Sequence, residues 1–98
     1  MIYFVDIDGT ICENTLTGDY TRSQPLFERI DYINTLYDQG NTIVYWTARG
    51  MSRGIDFSDL TTRQLLQWGC KFHELRMNKP VYDVWIDDKG SWPFEEGK

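Results

Sequence analysis

Two aspartates separated by one residue, Asp6 and Asp8, follow an apolar run near the start of the chain. Residues two apart in a strand point to the same side, so these carboxylates leave the end of a strand close together. Gly9 comes next and lets the chain turn away without a side chain in the way. Close carboxylates repel each other unless a cation lies between them, and oxygen ligands with room for water suit Mg²⁺. The spacing therefore predicts a magnesium site; a strand that simply ends in an Asp-Gly turn is the alternative.

Other polar residues follow apolar runs further along the chain. Thr47 directly follows a run of β-branched and aromatic residues, and Asp87 and Asp88 directly follow another. Lys79 lies in the loop before that last run. One carboxylate for nucleophilic attack, a second for proton transfer, a hydroxyl and an ammonium group are what hydrolysis of a phosphate monoester needs. Mg²⁺ and the lysine would together cancel the repulsion between the attacking carboxylate and the phosphate.

The hydropathy pattern predicts the elements that must position these groups, in the order strand, helix, strand, helix, strand, strand. The expected strands are 2–5, 42–46, 70–73 and 82–86, and the expected helices are 25–39 and about 56–68. Such alternation implies an α/β fold, with a mostly parallel sheet of about four strands and helices packed on its faces. Ligands of these sheets bind at the carboxyl ends of the strands, where the candidate residues are expected to meet.

The organisation is expected to be simple. Residues 1–98 fit one small domain, with no room for a second domain or a large lid. The polar, turn-rich segment 11–24 directly follows the first aspartates, so we expect it to form a small flap over the site.

The motifs, in this order, resemble those of the haloacid dehalogenase (HAD) superfamily of phosphatases. They are Asp6-Ile7-Asp8-Gly9-Thr10, Thr47 after an apolar strand, Lys79-Pro80, and Asp87-Asp88. The resemblance covers nearly the whole chain. It implies a reduced Rossmann-like three-layer sandwich without a cap domain, and a Mg²⁺-dependent phosphatase that acts through an aspartyl-phosphate.

The resemblance also implies a role for each matching position. Asp6 would be the nucleophile and a metal ligand, and Asp8 the general acid and base, with its backbone carbonyl on the metal. Asp87 would bind the metal directly, and Asp88 directly or through water. The expected phosphate-binding residues are Thr47, Ala48, Arg49 and Lys79.

The chain departs from the family pattern after Lys79. Many relatives have a helix between the lysine and the acidic pair, whereas only seven residues, 80–86, separate Lys79 from Asp87 here. Lys79 must then reach the phosphate from a loop. Ten residues follow Asp88, so the sheet is expected to be reduced, with an edge that a second copy of the chain could cover. We therefore predict a homo-oligomer.

Some assignments stay open. Arg49 and Arg53 could grip the rest of the substrate, because guanidinium suits oxygen-rich anions, or could belong to a solvated loop.

The sequence segments 45–50, 73–80 and 85–89 resemble those of cap-less phosphatases encoded with capsular-polysaccharide and surface-sugar genes. This resemblance implies that the substrate is a sugar phosphate or a related small metabolite. The alternatives are a phosphatase for the 3′-phosphate ends of nucleic acids and a non-catalytic subunit that binds a phospholigand.

The charge balance favours a small ligand over nucleic acid. The net charge is -5, from ten basic and fifteen acidic residues, and ten against eleven remain when the four aspartates of the motifs are set aside. A nucleic-acid-binding surface would show a basic excess.

The two cysteines have no metal-ligand spacing, and neither a signal peptide nor a membrane span is expected. A reducing cytoplasmic location is predicted.

Overall fold

The computed structural model describes residues 1–94, and within them three strands form one parallel sheet. The elements are β1 (Ile2–Val5), a 3-10 helix (Tyr20–Arg22), α1 (Phe27–Asp38), β2 (Thr42–Trp46), α2 (Ser58–Gln67) and β3 (Glu74–Arg76). The strands lie in the order β1-β2-β3, and both neighbouring pairs run parallel. Since each helix connects two adjacent parallel strands, the chain contains two successive β-α-β units.

Both helices pack against the same face of the sheet. Side chains alternate along a strand, so Val5, Ile43 and Tyr45 share one face. They form the buried core with Ile30 of α1 and Leu65 of α2. The predicted α/β class with a parallel sheet is confirmed, but among residues 1–94 the sheet and the helices make two layers where three were expected. The reason is the strand order: two crossovers of the same hand along β1-β2-β3 leave both helices on one side.

The opposite face of the sheet is only partly covered. Ile2 and Phe4 lie on this face and are 68% and 50% exposed. The Phe4 ring meets Trp46 edge to face at a centroid distance of 5.7 Å, and Trp46 meets Trp85 at 6.2 Å. The segment after β3 therefore covers part of this face through its aromatic side chains.

The third strand begins later than predicted. The sequence pattern suggested 70–73, whereas the strand is Glu74–Arg76. Cys70 still belongs to the turn that closes α2, because its N–H donates to the Leu65 carbonyl at 2.9 Å. The chain reaches the sheet only at His73, whose N–H donates to the Ile43 carbonyl at 2.9 Å.

The strand predicted at 82–86 is not formed within the described residues. Val84 and Ile86 are 73% and 90% exposed, and Trp85 turns its indole N–H to the Asp87 carboxylate at 2.6 Å. An apolar run alone does not show which strand, if any, its backbone will pair with. The prediction of about four strands is therefore wrong by this one strand.

The helices lie where the periodicity placed them, at Phe27–Asp38 and Ser58–Gln67. Neither is capped by a side chain of the preceding residue, although Oδ1 of Asp56 accepts the N–H of Ser58 at the start of α2 at 2.8 Å. Packing against the sheet therefore contributes most of their stability. Within residues 1–94, none of the helices has the length and apolar character needed to cross a lipid bilayer.

Gly50 shapes the loop that leaves the carboxyl end of β2. Its φ is +85°, and a Cβ at this position would overlap the carbonyl oxygen of Ile55. The Gly50 carbonyl accepts the N–H of Ile55 at 3.2 Å and that of Arg53 at 3.3 Å. The loop therefore closes on itself directly after Arg49, and only glycine fits at this point.

Gly50→Ala should lower the free energy of unfolding by more than about 3 kcal/mol, because steric overlap adds to the strain of the left-handed conformation. Gly54→Ala is the matched control, since Gly54 has a φ of +65° with open space around it. It should cost only about 1 kcal/mol. Urea unfolding followed by tryptophan fluorescence measures both, and equal losses would contradict the steric argument.

Candidate active site

A cavity of about 310 Å³ lies at the carboxyl ends of β1 and β2. It is lined by Asp6, Asp8, Tyr20, Thr47, Ala48, Arg49, Ser52, Lys79, Pro80, Val81 and Tyr82. The first aspartate pair and all of the predicted phosphate-binding residues therefore surround one space. The volume is at the lower end of the range for small-molecule sites.

Asp6 lies between a cation and a hydroxyl. Its Oδ1 is 3.5 Å from Nζ of Lys79, and Thr10 donates its hydroxyl to Oδ2 at 3.3 Å. The turn after β1 places Thr10 there: the Thr10 N–H donates to the Ile7 carbonyl at 3.0 Å, and Gly9 has a φ of +81°. The carboxylate is thus held at the cavity beside a positive charge, which is what its approach to a phosphate requires.

Lys79 reaches the cavity from a loop, as the short spacing to Asp87 demands. Its backbone N–H donates to the Thr47 carbonyl at 3.0 Å, so the loop is fastened to the end of β2. The indole N–H of Trp46 donates to the Met77 carbonyl at 3.2 Å, and Asn78 turns the chain with a φ of +65°. These contacts bring Lys79 to Asp6 without a preceding helix.

Asp8 is paired with Arg49 through both carboxylate oxygens. Nε of Arg49 donates to Oδ2 and Nη2 donates to Oδ1, each at 2.9 Å. The Arg49 side chain is fully buried, whereas 19% of the Asp8 side chain is exposed. This two-pronged geometry is the strongest form of an arginine–carboxylate contact, and it fixes the plane of the Asp8 carboxylate.

The other donors of Arg49 also have partners. Nη1 donates to the Thr61 hydroxyl at 3.2 Å and to Oε1 of Gln64 at 2.6 Å, both on α2. Nη2 is also 3.4 Å from the Ser23 hydroxyl, and the guanidinium lies 4.6 Å from the centre of the Tyr20 ring. The interpretation of Arg49 as part of a solvated loop is therefore wrong. Its binding of phosphate stays a prediction, since its fork faces Asp8.

Thr47 and Ala48 lie at the end of β2, beside the Asp8–Arg49 pair. The Thr47 side chain is buried, and its hydroxyl accepts the N–H of Arg49 at 3.1 Å. The Ala48 carbonyl accepts the N–H of Met51 at 3.0 Å, which starts the loop held by Gly50. The end of β2 thus supports the cavity through its backbone as well as its side chains.

Asp87 and Asp88 are not among the residues that line the cavity. Both are exposed. The N–H groups of Lys89 and Gly90 and the indole of Trp85 bond to Asp87, and the Lys89 N–H contributes most to lowering the pKa of this carboxyl. No group of three or more potential His, Cys, Asp or Glu ligands occurs in the described part of the chain. The structure therefore brings together the first aspartate pair but not the second, because the segment before Asp87 has not joined the sheet.

The segment 11–24, predicted as a flap, borders the cavity through Tyr20. At its tip, the Gly18 carbonyl accepts a hydrogen bond from Nη2 of Arg53 at 3.0 Å. At Tyr20, the backbone carbonyl accepts Nε2 of Gln64 at 2.6 Å. Arg53 thus holds the flap instead of facing the aspartates.

Sequence reasoning missed Tyr20, Thr61 and Gln64. Thr61, Gln64 and Leu65 are three or four residues apart and share one side of α2, and all three are buried. Two polar residues on the apolar side of a helix are a signal that a buried polar group faces them. Here that group is the Arg49 guanidinium.

Cys12 lies against the Asp8 carboxylate. Its Sγ is 3.5 Å from Oδ1 of Asp8, and the side chain is buried. Burial, followed by the negative charge of Asp8, raises the pKa of the Cys12 thiol to about 12. The thiol therefore stays protonated and donates to Asp8, which agrees with its interpretation as a packed thiol.

Comparison with known proteins identifies the fold. No protein-family model matches the sequence, and no curated protein matches it significantly. A structural-genomics crystal structure from Vibrio cholerae matches with a TM-score of 0.77 and 26% identity, over 88% of this chain and 78% of that chain. D,D-heptose 1.7-bisphosphate phosphatase from B. bronchiseptica, crystallised with magnesium and phosphate, matches with a TM-score of 0.59 and 22% identity, over 79% of this chain and 49% of its own.

The chain has a HAD-like fold. The match to the heptose bisphosphate phosphatase extends over 79% of this chain, which spans about half the length of that protein. In a HAD-like fold the cavity found here, at the carboxyl ends of β1 and β2, lies where parallel sheets bind their ligands.

Arg49→Met should lower the free energy of unfolding by about 3 kcal/mol or more, because it leaves Asp8 without its buried partner. Arg53→Met is the matched control. Arg53 is exposed and gives up one hydrogen bond and ring contacts, so its loss should be no more than about 1 kcal/mol. Urea unfolding measures both; an Arg49→Met protein as stable as Arg53→Met would show that the pair contributes nothing.

Proposed function

We propose that this protein is a Mg²⁺-dependent phosphomonoester hydrolase that acts through an aspartyl-phosphate. One observation carries the proposal: a single cavity is lined by Asp6, Asp8, Thr47 and Lys79. These group types are the parts that phosphoryl transfer to a carboxylate needs. The HAD-like fold, shared with a phosphatase crystallised with magnesium and phosphate, supports the same reaction class.

Asp6 is the proposed nucleophile and Asp8 the proposed acid and base. A carboxylate oxygen of Asp6 attacks phosphorus and the bond from phosphorus to the ester oxygen breaks, while Asp8, which carries a proton in the reactive form, gives that proton to the departing alkoxide. Water then attacks the phosphoryl group on Asp6, Asp8 takes a proton from that water and is protonated again, the bond between Asp6 and phosphorus breaks, and inorganic phosphate leaves. Lys79 and Thr47 hold the phosphoryl oxygens, with Lys79 already 3.5 Å from Asp6.

The donor set of the cavity fits magnesium. Mg²⁺ is usually held by one or two carboxylates together with water and substrate phosphate. Asp6 supplies a carboxylate at the cavity, and we place the Asp8 backbone carbonyl beside it as a second ligand. When bound, the ion would neutralise charge on the phosphate.

Asp87 and Asp88 complete the metal site in this proposal, directly or through water. They reach it only if the segment before them moves from the arrangement described above. The exposed apolar run 82–86 has the composition of a buried strand, which supports such a rearrangement.

The proposed substrate is a phosphorylated sugar or a related small metabolite, handled in the cytoplasm during capsule or surface-polysaccharide synthesis. The small volume of the cavity supports this substrate class. The name of the heptose bisphosphate phosphatase, whose substrate is a phosphorylated sugar, supports it as well. The net charge of -5 disfavours the alternative substrate, the phosphorylated end of a nucleic acid.

Self-association stays a prediction, supported by the exposed Ile2 and Phe4 on the open sheet face.

One observation favours a second candidate, a non-catalytic subunit that binds a phospholigand. The second aspartate pair lies outside the cavity, and both carboxylates within it already face cations. Such a protein would bind a phosphosugar tightly and release no phosphate.

Asp6→Asn should lower hydrolysis of p-nitrophenyl phosphate by more than about a thousandfold, since it removes the nucleophile. Chelation of Mg²⁺ by EDTA should abolish the activity of the wild-type protein. Phosphate release over time measures both. Turnover that survives both treatments would refute the proposed mechanism, and binding without any turnover would favour the second candidate.

Asp87→Asn should raise the Mg²⁺ concentration needed for half-maximal activity about tenfold or more, because a ligand is lost. Asp83→Asn is the matched control, an exposed carboxylate of the same segment. Magnesium titrations of activity distinguish them. Identical titrations for the two variants would exclude Asp87 from the metal site.

A further inference from the structure

The Gln64 side chain joins the flap to the proposed acid and base through two short hydrogen bonds. Its Oε1 accepts Nη1 of Arg49, and its Nε2 donates to the Tyr20 carbonyl, both at 2.6 Å. Arg49 in turn holds both oxygens of Asp8. Asp8, Arg49, Gln64 and Tyr20 thus form a continuous hydrogen-bonded chain, called here the acid–flap relay.

The relay requires an amide at position 64. Gln64 is only 6% exposed, so neither of its bonds is replaced by water without cost. One end must accept from a cation and the other must donate to a carbonyl. A carboxylate could do only the first, and an apolar side chain neither.

A second contact reinforces the relay. The Arg49 guanidinium lies 4.6 Å from the centre of the Tyr20 ring. Tyr20 also meets Phe57 edge to face at 5.0 Å. The residue that borders the cavity from the flap is therefore bound to Arg49 both directly and through Gln64.

We propose that Gln64 is a positioning residue that couples the flap to the orientation of Asp8. This inference rests on the proposed hydrolase function. With the flap down, Gln64 is held by Tyr20 and fixes Arg49, which fixes the Asp8 carboxylate. When the flap lifts, Gln64 loses its acceptor and Asp8 loses its fixed plane. Proton transfer by Asp8 is then efficient only when the flap covers the substrate.

Kinetics with two leaving groups test the catalytic half of the relay. Gln64→Met removes both bonds, and its kcat/KM on an alkyl ester such as glycerol phosphate should fall about tenfold, because alkoxide departure needs the proton from Asp8. The loss on p-nitrophenyl phosphate should be much smaller, because p-nitrophenolate departs without a proton. Gln64→Glu keeps the acceptor for Arg49 and should lose less. Gln67→Met, on an exposed position of the same helix, is the control.

Hydrogen exchange tests the coupling without any turnover. The Glu13 N–H bonds to the Gln24 carbonyl and the Ser23 N–H bonds to the Tyr20 carbonyl, so both report on the flap. Coupling is reciprocal. Asp8→Asn should therefore speed exchange at these amides, as Gln64→Met and Gln64→Glu do. Asp6→Asn lies outside the relay and should leave them unchanged, with β2 amides as the check that each variant is folded.

Faster flap exchange in Asp8→Asn together with the leaving-group difference in Gln64→Met supports the proposal. Equal losses on both esters, a Gln64→Met protein that behaves as Gln67→Met, or flap exchange unaffected by Asp8→Asn overturns it. A wild-type protein that hydrolyses no ester refutes the proposed function instead, and the exchange comparison of Asp8→Asn with Asp6→Asn then decides the coupling by itself.

Discussion

The ion pair of Asp8 with Arg49 is the interaction on which the rest of the site depends. Burying a guanidinium removes its hydration, and the cost is recovered only when every donor finds a well-placed acceptor. Arg49 meets this condition through Asp8 at the end of β1 and Gln64 on α2. Since Arg49 itself follows β2 and lies against Tyr20 of the flap, one side chain holds four parts of the chain around a single point.

Much of this arrangement follows from the sequence. In a parallel sheet the carboxyl ends of strands meet, so Asp6 and Thr47 had to lie near each other once 2–5 and 42–46 were predicted as strands. Lys79 was selected because phosphate hydrolysis needs a cation and because its motif resembles that of the family. The structure supplies the physical means of placing it, since its N–H donates to the Thr47 carbonyl. The parallel α/β sheet could thus be expected from the alternation of elements, and the HAD-like fold from the resemblance of the motifs, although the number of strands could not.

The remaining features depend on contacts that are distant in sequence. The pattern of 82–86 fits a buried strand, but pattern does not identify a pairing partner, and here Trp85 packs on Trp46 instead. The buried ion pair of Arg49 could not be predicted either. Both interpretations of this residue, as a group that grips the substrate and as part of a solvated loop, assumed an exposed side chain. Only the polar pair Thr61 and Gln64 on the inner side of α2 pointed to a buried cation, and which cation they would meet depends on the tertiary fold.

Cys12, beside Asp8, bears on how the site responds to oxidants. Peroxide and other oxidants attack thiolates, and the thiol next to this carboxylate is held in its neutral form by burial and by the charge of Asp8. A neutral, buried thiol reacts slowly with such oxidants, so Cys12 contributes packing and a hydrogen bond to Asp8 at this position.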